Sequence, residues 1–327
     1  MQQINKEKRN FWFKRCEAIL MIVIFIALVV SSLSLAKNVN QLTFASPEEA
    51  VRAMVEALNS NDLKALEAIF GPGSRDLISS GDSTADQSER ERFLKLYDEK
   101  NRLEQAADKV VLSVGNEDWP FPIPMVKKDA FWHFDIEEGG EEILARRIGR
   151  NELSVIQVCL AYVDAQREYA LKDRDADGLL QYAQKFRSDK GMKNGLYWHV
   201  KEGEDQSPLG PLVAAAQEKG YSGKPTANKP IPYHGYYYRI LKGQGKNAPG
   251  GAYDYMVKGK MIGGFALVAY PAKYSSSGIM TFIVNHDGVV FQKDLGRNTE
   301  KVAQAIKLFN PDSMWEKVEE EDMRTKD

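Results

Sequence analysis

The sequence predicts an α+β fold in two parts, and three observations carry that reading. Apolar residues recur at helical spacing early in the chain, where Val51, Met54, Val55 and Leu58 share one face. A single long helical stretch, Glu152 to Leu171, occupies the middle. Residues 233–294 then alternate short β-rich runs with turn signals. The result is N-terminal helices with an antiparallel sheet, followed by a long helix packed on an antiparallel meander.

The chain opens on Lys6, Lys8, Arg9, Lys14 and Arg15, then an uncharged apolar run from Ala18 to Val30, then Ser31 to Ala36, ending Ser-Leu-Ala. A basic segment, a short apolar core and small residues at −3 and −1 form a secretory signal. Ala18 to Ala36 also approaches the ~20 apolar residues that span a bilayer. Residues 1–36 therefore read as a signal peptide or a membrane anchor, with cleavage after Ala36, or after Ala45 with Thr43 at −3. Either reading exports the chain, to the periplasm or otherwise beyond the cytoplasm. An inner-membrane tether exists only where residues 18–36 are retained.

Residues 44–138 form the first part. Ser46, Pro47 and Glu49 stand at N-cap, N1 and N3 of a capping box, and Asn59 to Asp62 ends that helix. Leu63 to Phe70 is a second helix, and Ser88 to Gln105 a third with Phe93, Leu96 and Leu103 on its stripe. Val110 to Val114 and Phe131 to Ile136 are strands. Between them, Trp119-Pro120-Phe121-Pro122-Ile123-Pro124 cannot donate ladder bonds at its prolines and makes an extended edge or rigid loop.

Glu137-Glu138-Gly139-Gly140 marks the boundary to a second part, residues 141–310, with a charged, frayed tail at 311–327. A short basic helix, Glu141 to Arg147, leads into the long one. Val155, Ile156, Cys159, Leu160, Tyr162, Val163 and Tyr169 make its apolar face too broad to lie alone on a surface. The meander comprises Tyr236 to Leu241, Ala252 to Val257 and Met261 to Tyr270, then a hairpin around Asn285-His286-Asp287-Gly288. Thr299 to Phe309 is a last helix.

Three resemblances follow. Ser46-Pro47-Glu48-Glu49-Ala50-Val51 with Ala57 to Asp62 resembles the start of cone-shaped nuclear-transport-factor-2-like domains, which implies a fold and no activity. The long helix with a hairpin of the form Phe-Ile-Val-Asn-x-Asp-Gly-Val-Val, 282–290, is similar to pilin and pseudopilin headgroups. The prepilin start before the apolar run is absent, so that resemblance implies the fold without filament assembly. Ser79 to Asp82, Tyr97 to Lys100, Trp119 to Pro124, Arg146 to Leu153, Tyr162 to Ala170, Tyr233 to Leu241 and Met261 to Ala269 together resemble a bacterial family of exported proteins, a domain of unknown function numbered 2950. The family resemblance implies an envelope location and assigns no activity.

The formal net charge is −2, and −5 without residues 1–36, which excludes the basic stripe of a nucleic-acid binder. Cys159 is the one cysteine after residue 36, so no disulfide forms within the exported chain, and its apolar helical setting marks it as a small buried hydrophobe. No G-x-S-x-G elbow occurs, and His133, His199, His234 and His286 lack zinc-site spacing, so no catalytic residue is assigned.

Two candidate sites stand out. Asp173-Arg174-Asp175-Ala176-Asp177-Gly178-Leu179-Leu180 matches the first eight positions of a calcium loop, between the long helix and a second helical stretch, Leu179 to Phe186. Asp173, Asp175, Asp177, Leu179 and Gln184 are its expected ligands, with Gln184 standing where a bidentate Glu belongs. Bound calcium would be structural and weakly held; a solvated turn is the alternative. Eight of the 14 tyrosines crowd between Tyr233 and Tyr274, and Tyr233, Tyr236, Tyr237, Tyr238, Tyr253 and Tyr255 form the expected binding surface. Exposed tyrosines suit a sugar or a protein partner; cross-strand pairs that stabilise the sheet are the alternative. The expected function is a non-enzymatic envelope module binding a protein or glycan. The alternative is a hydrolase acting on an envelope polymer.

Overall fold

A computed structural model describes residues 41–106, 108–200, 203–221 and 230–319. The signal or anchor at 1–36 and the end of the tail, 320–327, lie outside the described residues. Mixed helices and antiparallel sheets surround two hydrophobic clusters, an α+β architecture.

Local capping chemistry starts the first helices. In α1 (Pro47–Asn59), Ser46 Oγ accepts from Glu49 N at 3.2 Å and the Glu49 carboxylate from Ala45 N at 2.9 Å. Asp62 caps α2 (Leu63–Phe70), its Oδ1 accepting from Lys64 N and Ala65 N at 3.0 Å. A single turn, α3 (Arg75–Ile78), leads to α4 (Ser83–Glu99), capped by Asp82. The sheet beneath has the order β1 (Asn101–Ala106), β2 (Lys109–Val114), β4 (Met125–Lys128), β5 (Phe131–Phe134), with β3 (Trp119–Pro120) also on β2. Residues 101–106 are thus a strand and not the end of the third helix. Pairing sets Leu103 opposite Leu112, and the charged run becomes an edge strand, where charge is favoured.

The predicted boundary at 137–140 lies inside one helix, α5 (Ile136–Tyr169), 34 residues long. Gly139 and Gly140 are buried and helical. Glycine normally weakens a helix, but here it admits a neighbour. A Cβ on Gly139 would meet the Pro122 carbonyl oxygen at 2.0 Å, so the proline-rich loop packs directly on the helix backbone. Gly139→Ala should therefore destabilise the protein, by about 1–3 kcal/mol of overpacking, despite the better helix propensity of alanine. Urea denaturation checks this, and an unchanged or raised midpoint would show that the loop yields.

The second sheet runs β14 (Glu316–Lys317), β13 (Val290–Asp294), β12 (Met280–Asn285), β11 (Ala266–Pro271), β6 (Tyr236–Leu241), all antiparallel. Two short pairs flank it, β7 (Gly243–Gln244) with β8 (Tyr253–Asp254), and β9 (Met256–Val257) with β10 (Lys260–Met261). α5 covers one face along β11–β13, and α7 (Thr299–Ala305) contacts β11. All six β11 residues are buried, which is why that run is continuously apolar. The strand begins at Ala266 and not at Met261, because Met261 pairs with Met256 and Gly264, at φ 146°, turns the chain between. α6 (Gly210–Glu218) is a short outer helix. The described part of the tail, residues 311–319, joins the sheet: β14 extends it, and Val318 N donates to Val290 O at 3.0 Å.

Candidate functional site

The aspartate loop curls as its sequence requires. Asp173 Oδ1 accepts from Asp175 N and Asp177 N at 3.2 and 3.4 Å, and Oδ2 from Gly178 N at 2.8 Å. Ala176 and Gly178 take φ of 54° and 84° to close the turn. A cation is already present: the Lys260 ammonium pairs with Asp177 and lies 3.7 Å from Asp175 Oδ2. Gln184 is not in the ring. Its amide donates to Gly259 O at 2.8 Å and accepts from Lys242 Nζ at 3.1 Å. Leu179 is 47% exposed. No helix follows the loop, because Tyr182 bridges to Met261 and Gln166 holds Ala183. The donor set as folded is therefore incomplete for calcium. Among the described residues no group of three or more His, Cys, Asp or Glu is placed to hold a metal ion. Calcium would have to displace Lys260. Lys260→Met should then increase any calcium heat measured by calorimetry; equal heats in both proteins would show that Lys260 does not compete.

The six tyrosines do not form one surface. Tyr236 and Tyr255 are both 0% exposed. The Tyr236 hydroxyl donates to Met280 O at 2.9 Å, that of Tyr255 to Gln244 Oε1 at 2.8 Å, and burial pushes both phenols well up. Tyr238 is half-buried and donates to Tyr233 O at 3.1 Å, while Tyr237 pairs across the sheet with Tyr270 at 5.6 Å. Tyr253 is 39% exposed and its hydroxyl lies 3.3 Å from His286 Nε2. Both faces of β6 are engaged. Tyr236 is in the cluster with α5, and Arg239 donates to Ala303 O and Ile306 O at 2.8 and 2.7 Å on the α7 side.

Tyr233, Tyr237 and Tyr238 do line a groove of about 280 Å³, but a cavity with charged groups lies elsewhere. Beneath α4 is a cavity of about 400 Å³. Its apolar wall includes Met54, Leu66, Phe70, Phe93, Phe121 and Ile123. Ile143, Arg147, Arg150 and Ser154, spaced four, three and four along one face of α5, also line it. Arg90 joins them from α4. Arg147 donates to Asp76 O at 2.9 Å and to Leu77 O, and Arg90 to Ile78 O at 3.4 Å, so both guanidiniums gather at the end of α3. Arg150 pairs with Glu89 at 3.3 Å. Burial lowers the Arg147 pKa, with Asp86 acting against the shift and Arg150 and Arg90 with it, and it stays a cation. A second groove, of about 680 Å³, shares Phe93, Phe121, Ile143, Arg147 and Arg150 as a common wall.

Buried polar groups fix this site in place. Asp82 Oδ2 accepts from Tyr221 Oη at 2.8 Å and Gly235 N at 2.9 Å, and Oδ1 from Ala85 N at 3.1 Å. Desolvation raises the Asp82 pKa against those hydrogen bonds. Asp86 accepts from Ser80 Oγ at 2.6 Å and from Ser80 N at 3.0 Å. The Ser80 hydroxyl thus faces a carboxylate that holds a turn, an arrangement unlike a serine paired with a histidine base. Burial, then Lys219 and Arg150, push the His234 imidazole down to about 4, so it is neutral at pH 7. Chemically, the site offers an apolar interior with cationic groups.

Sequence reasoning missed Arg90, Arg147 and Arg150; the available signal was a mixed apolar and basic stripe, Ile143-Arg147-Arg150, on one face of a long helix. Among the described residues no helix is long and apolar enough to cross a membrane. No curated protein and no solved structure matches the chain. A family model described as a protein of unknown function (DUF2950) matches residues 41–318, and the chain belongs to that family.

Proposed function

We propose that this is an exported, non-enzymatic module of the cell envelope that takes its ligand in the cavity beneath α4. The observation that supports it is the cavity itself: about 400 Å³, within the ~300–1,000 Å³ of small-molecule sites, with an apolar wall and three arginines. Burial of Tyr236 and Tyr255 narrows the support for a protein or glycan gripped by the tyrosine sheet to Tyr253 and the groove beside Tyr233, Tyr237 and Tyr238. The first half reads as a cone-like module, supported by helices packed with a five-stranded antiparallel sheet around one hydrophobic cluster. The second reads as pilin-like, supported by α5 on its meander.

Asp86, Glu89 and His234 face the same cavity, which favours a hydrolase acting on an envelope polymer as the second reading. One experiment separates them. The protein is purified from its own envelope beside Ala85→Phe, a variant that fills the cavity, and both are denatured and extracted. A small molecule released from the unaltered protein and missing from the folded variant supports binding. Equal release from both, or none from either, would sink it. Turnover of peptidoglycan fragments that Asp86→Asn abolishes would establish the hydrolase instead.

A further inference from the structure

We infer that the cavity takes a single-chain amphipathic anion: an alkyl chain ending in a carboxylate or phosphate group. The inference rests on the cavity being the ligand site, and three features of its lining support it.

Away from its charged groups, the cavity wall has little to offer hydroxyl groups. Three of the polar side chains in its wall are engaged within the protein: Ser80 donates to Asp86, Asn151 to Ser277 O at 2.9 Å, and Ser154 to Arg150 O at 2.9 Å. Among the described residues, no buried polar side-chain atom that lacks a partner lies in the lining. A sugar hydroxyl set against the apolar wall would lose its water without replacement hydrogen bonds, whereas an alkyl chain loses nothing there.

The cationic groups are under-compensated. Arg90, Arg147, Arg150 and Lys219 line the cavity against Asp86 and Glu89, an excess of positive charge in a chain of net charge −2. Arg90 and Arg147 are half-buried, and their hydrogen bonds go to backbone carbonyls of α3. Among the described residues, only Arg150 of the three is ion-paired, with Glu89. Guanidiniums gathered this way repel one another, and an anion would relieve that repulsion. Their planar N–H groups match the oxygens of a carboxylate or phosphate two at a time.

The apolar wall and the arginines also adjoin. Ile143 stands one turn from Arg147 on α5, and the neighbouring groove shares Phe93, Phe121 and Ile143. A head held by the arginines therefore has apolar surface beside it for a chain.

The test titrates the delipidated protein with palmitate, 1-palmitoyl lysophosphatidate, hexadecanol and hexadecyltrimethylammonium by calorimetry, with the neutral fluorophore 1-aminoanthracene as an independent probe of the cavity. Both anions should bind, hexadecanol at least about tenfold more weakly, and the cation not at all. Arg90→Gln and Arg147→Gln should each weaken palmitate about tenfold, roughly the loss of one charge-assisted contact, and leave the fluorophore unchanged. Arg90→Gln is the safer variant, because Arg90 makes a single bond to α3, at 3.4 Å, where Arg147 makes two. A preference for palmitate supports a free fatty acid, and one for the lysophosphatidate a lipid headgroup. Equal binding of hexadecanol or the cation overturns the anionic class while the cavity remains the site. Fluorophore entry with no amphiphile bound also overturns it. Failure of every ligand and of the fluorophore removes the cavity reading itself.

Discussion

Replacing Asp82 by alanine is expected to lower the melting temperature by roughly 6–12 °C, equivalent to about 3 kcal/mol for a chain of this size. Asp82 is 1% exposed and serves two places at once. Its Oδ1 caps α4 through Ala85 N, and its Oδ2 receives the Tyr221 hydroxyl and the Gly235 amide ahead of β6. Loss of an N-cap costs about 1 kcal/mol. Leaving two donors without an acceptor costs about 1–3 kcal/mol each. Relief of the desolvation that raises the Asp82 pKa offsets part of this. Asp82→Asn keeps one oxygen for the cap but sets an amide N–H against the Tyr221 or Gly235 donor, so it should lose less. Calorimetry of the three proteins decides, and an alanine shift below about 2 °C would mean that the carboxylate is not the tie it looks to be.

Asp82 also shows where sequence reading stops. Ser79 to Asp82 reads as a polar turn because its chemistry is local on the page, while Tyr221 and Gly235 lie 139 and 153 residues away. The helix start at Ser46 was legible because a cap acts within three residues, whereas Asp62, which reads as the end of one helix, also caps the next. Gly139 misled for the same reason: alone it signals a break, and only the Pro122 carbonyl against it explains a buried helical glycine. The tyrosine alternation gave the two faces of β6 but not the fact that both are engaged. Gln166 was passed over on an apolar helix face. It is 0% exposed, accepting from Ala183 N and donating to Ala183 O, both at 2.8 Å, so it fixes the chain after the aspartate loop as a strand would. The cavity was the least legible feature. Its basic stripe is visible on α5, but its walls come from α1, α2, α4 and the proline-rich loop, whose juxtaposition no local pattern encodes.

His234 should make the fold acid-sensitive. It sits at φ 52°, its ring packed on Tyr233 at 4.3 Å and Tyr221 at 6.5 Å. Burial, Lys219 and Arg150 hold its imidazole at about 4, below the ordinary 6.5. Between those values the unfolded chain binds a proton that the folded protein does not. The stability contributed is therefore fully present above pH 6.5 and is lost as pH falls through the window towards 4. At ~1.4 kcal/mol per pKa unit the full swing is about 3 kcal/mol. Asp82 works the other way. Its raised pKa means that the folded state takes up a proton first, so acidification favours folding at that residue. The two are separable by His234→Asn, since asparagine tolerates the left-handed backbone. The melting temperature of the unaltered protein should fall from pH 6.5 to 4 more steeply than that of the variant. Parallel curves would mean that His234 is charged in the fold, and that the polar network behind the cavity does not exclude its proton.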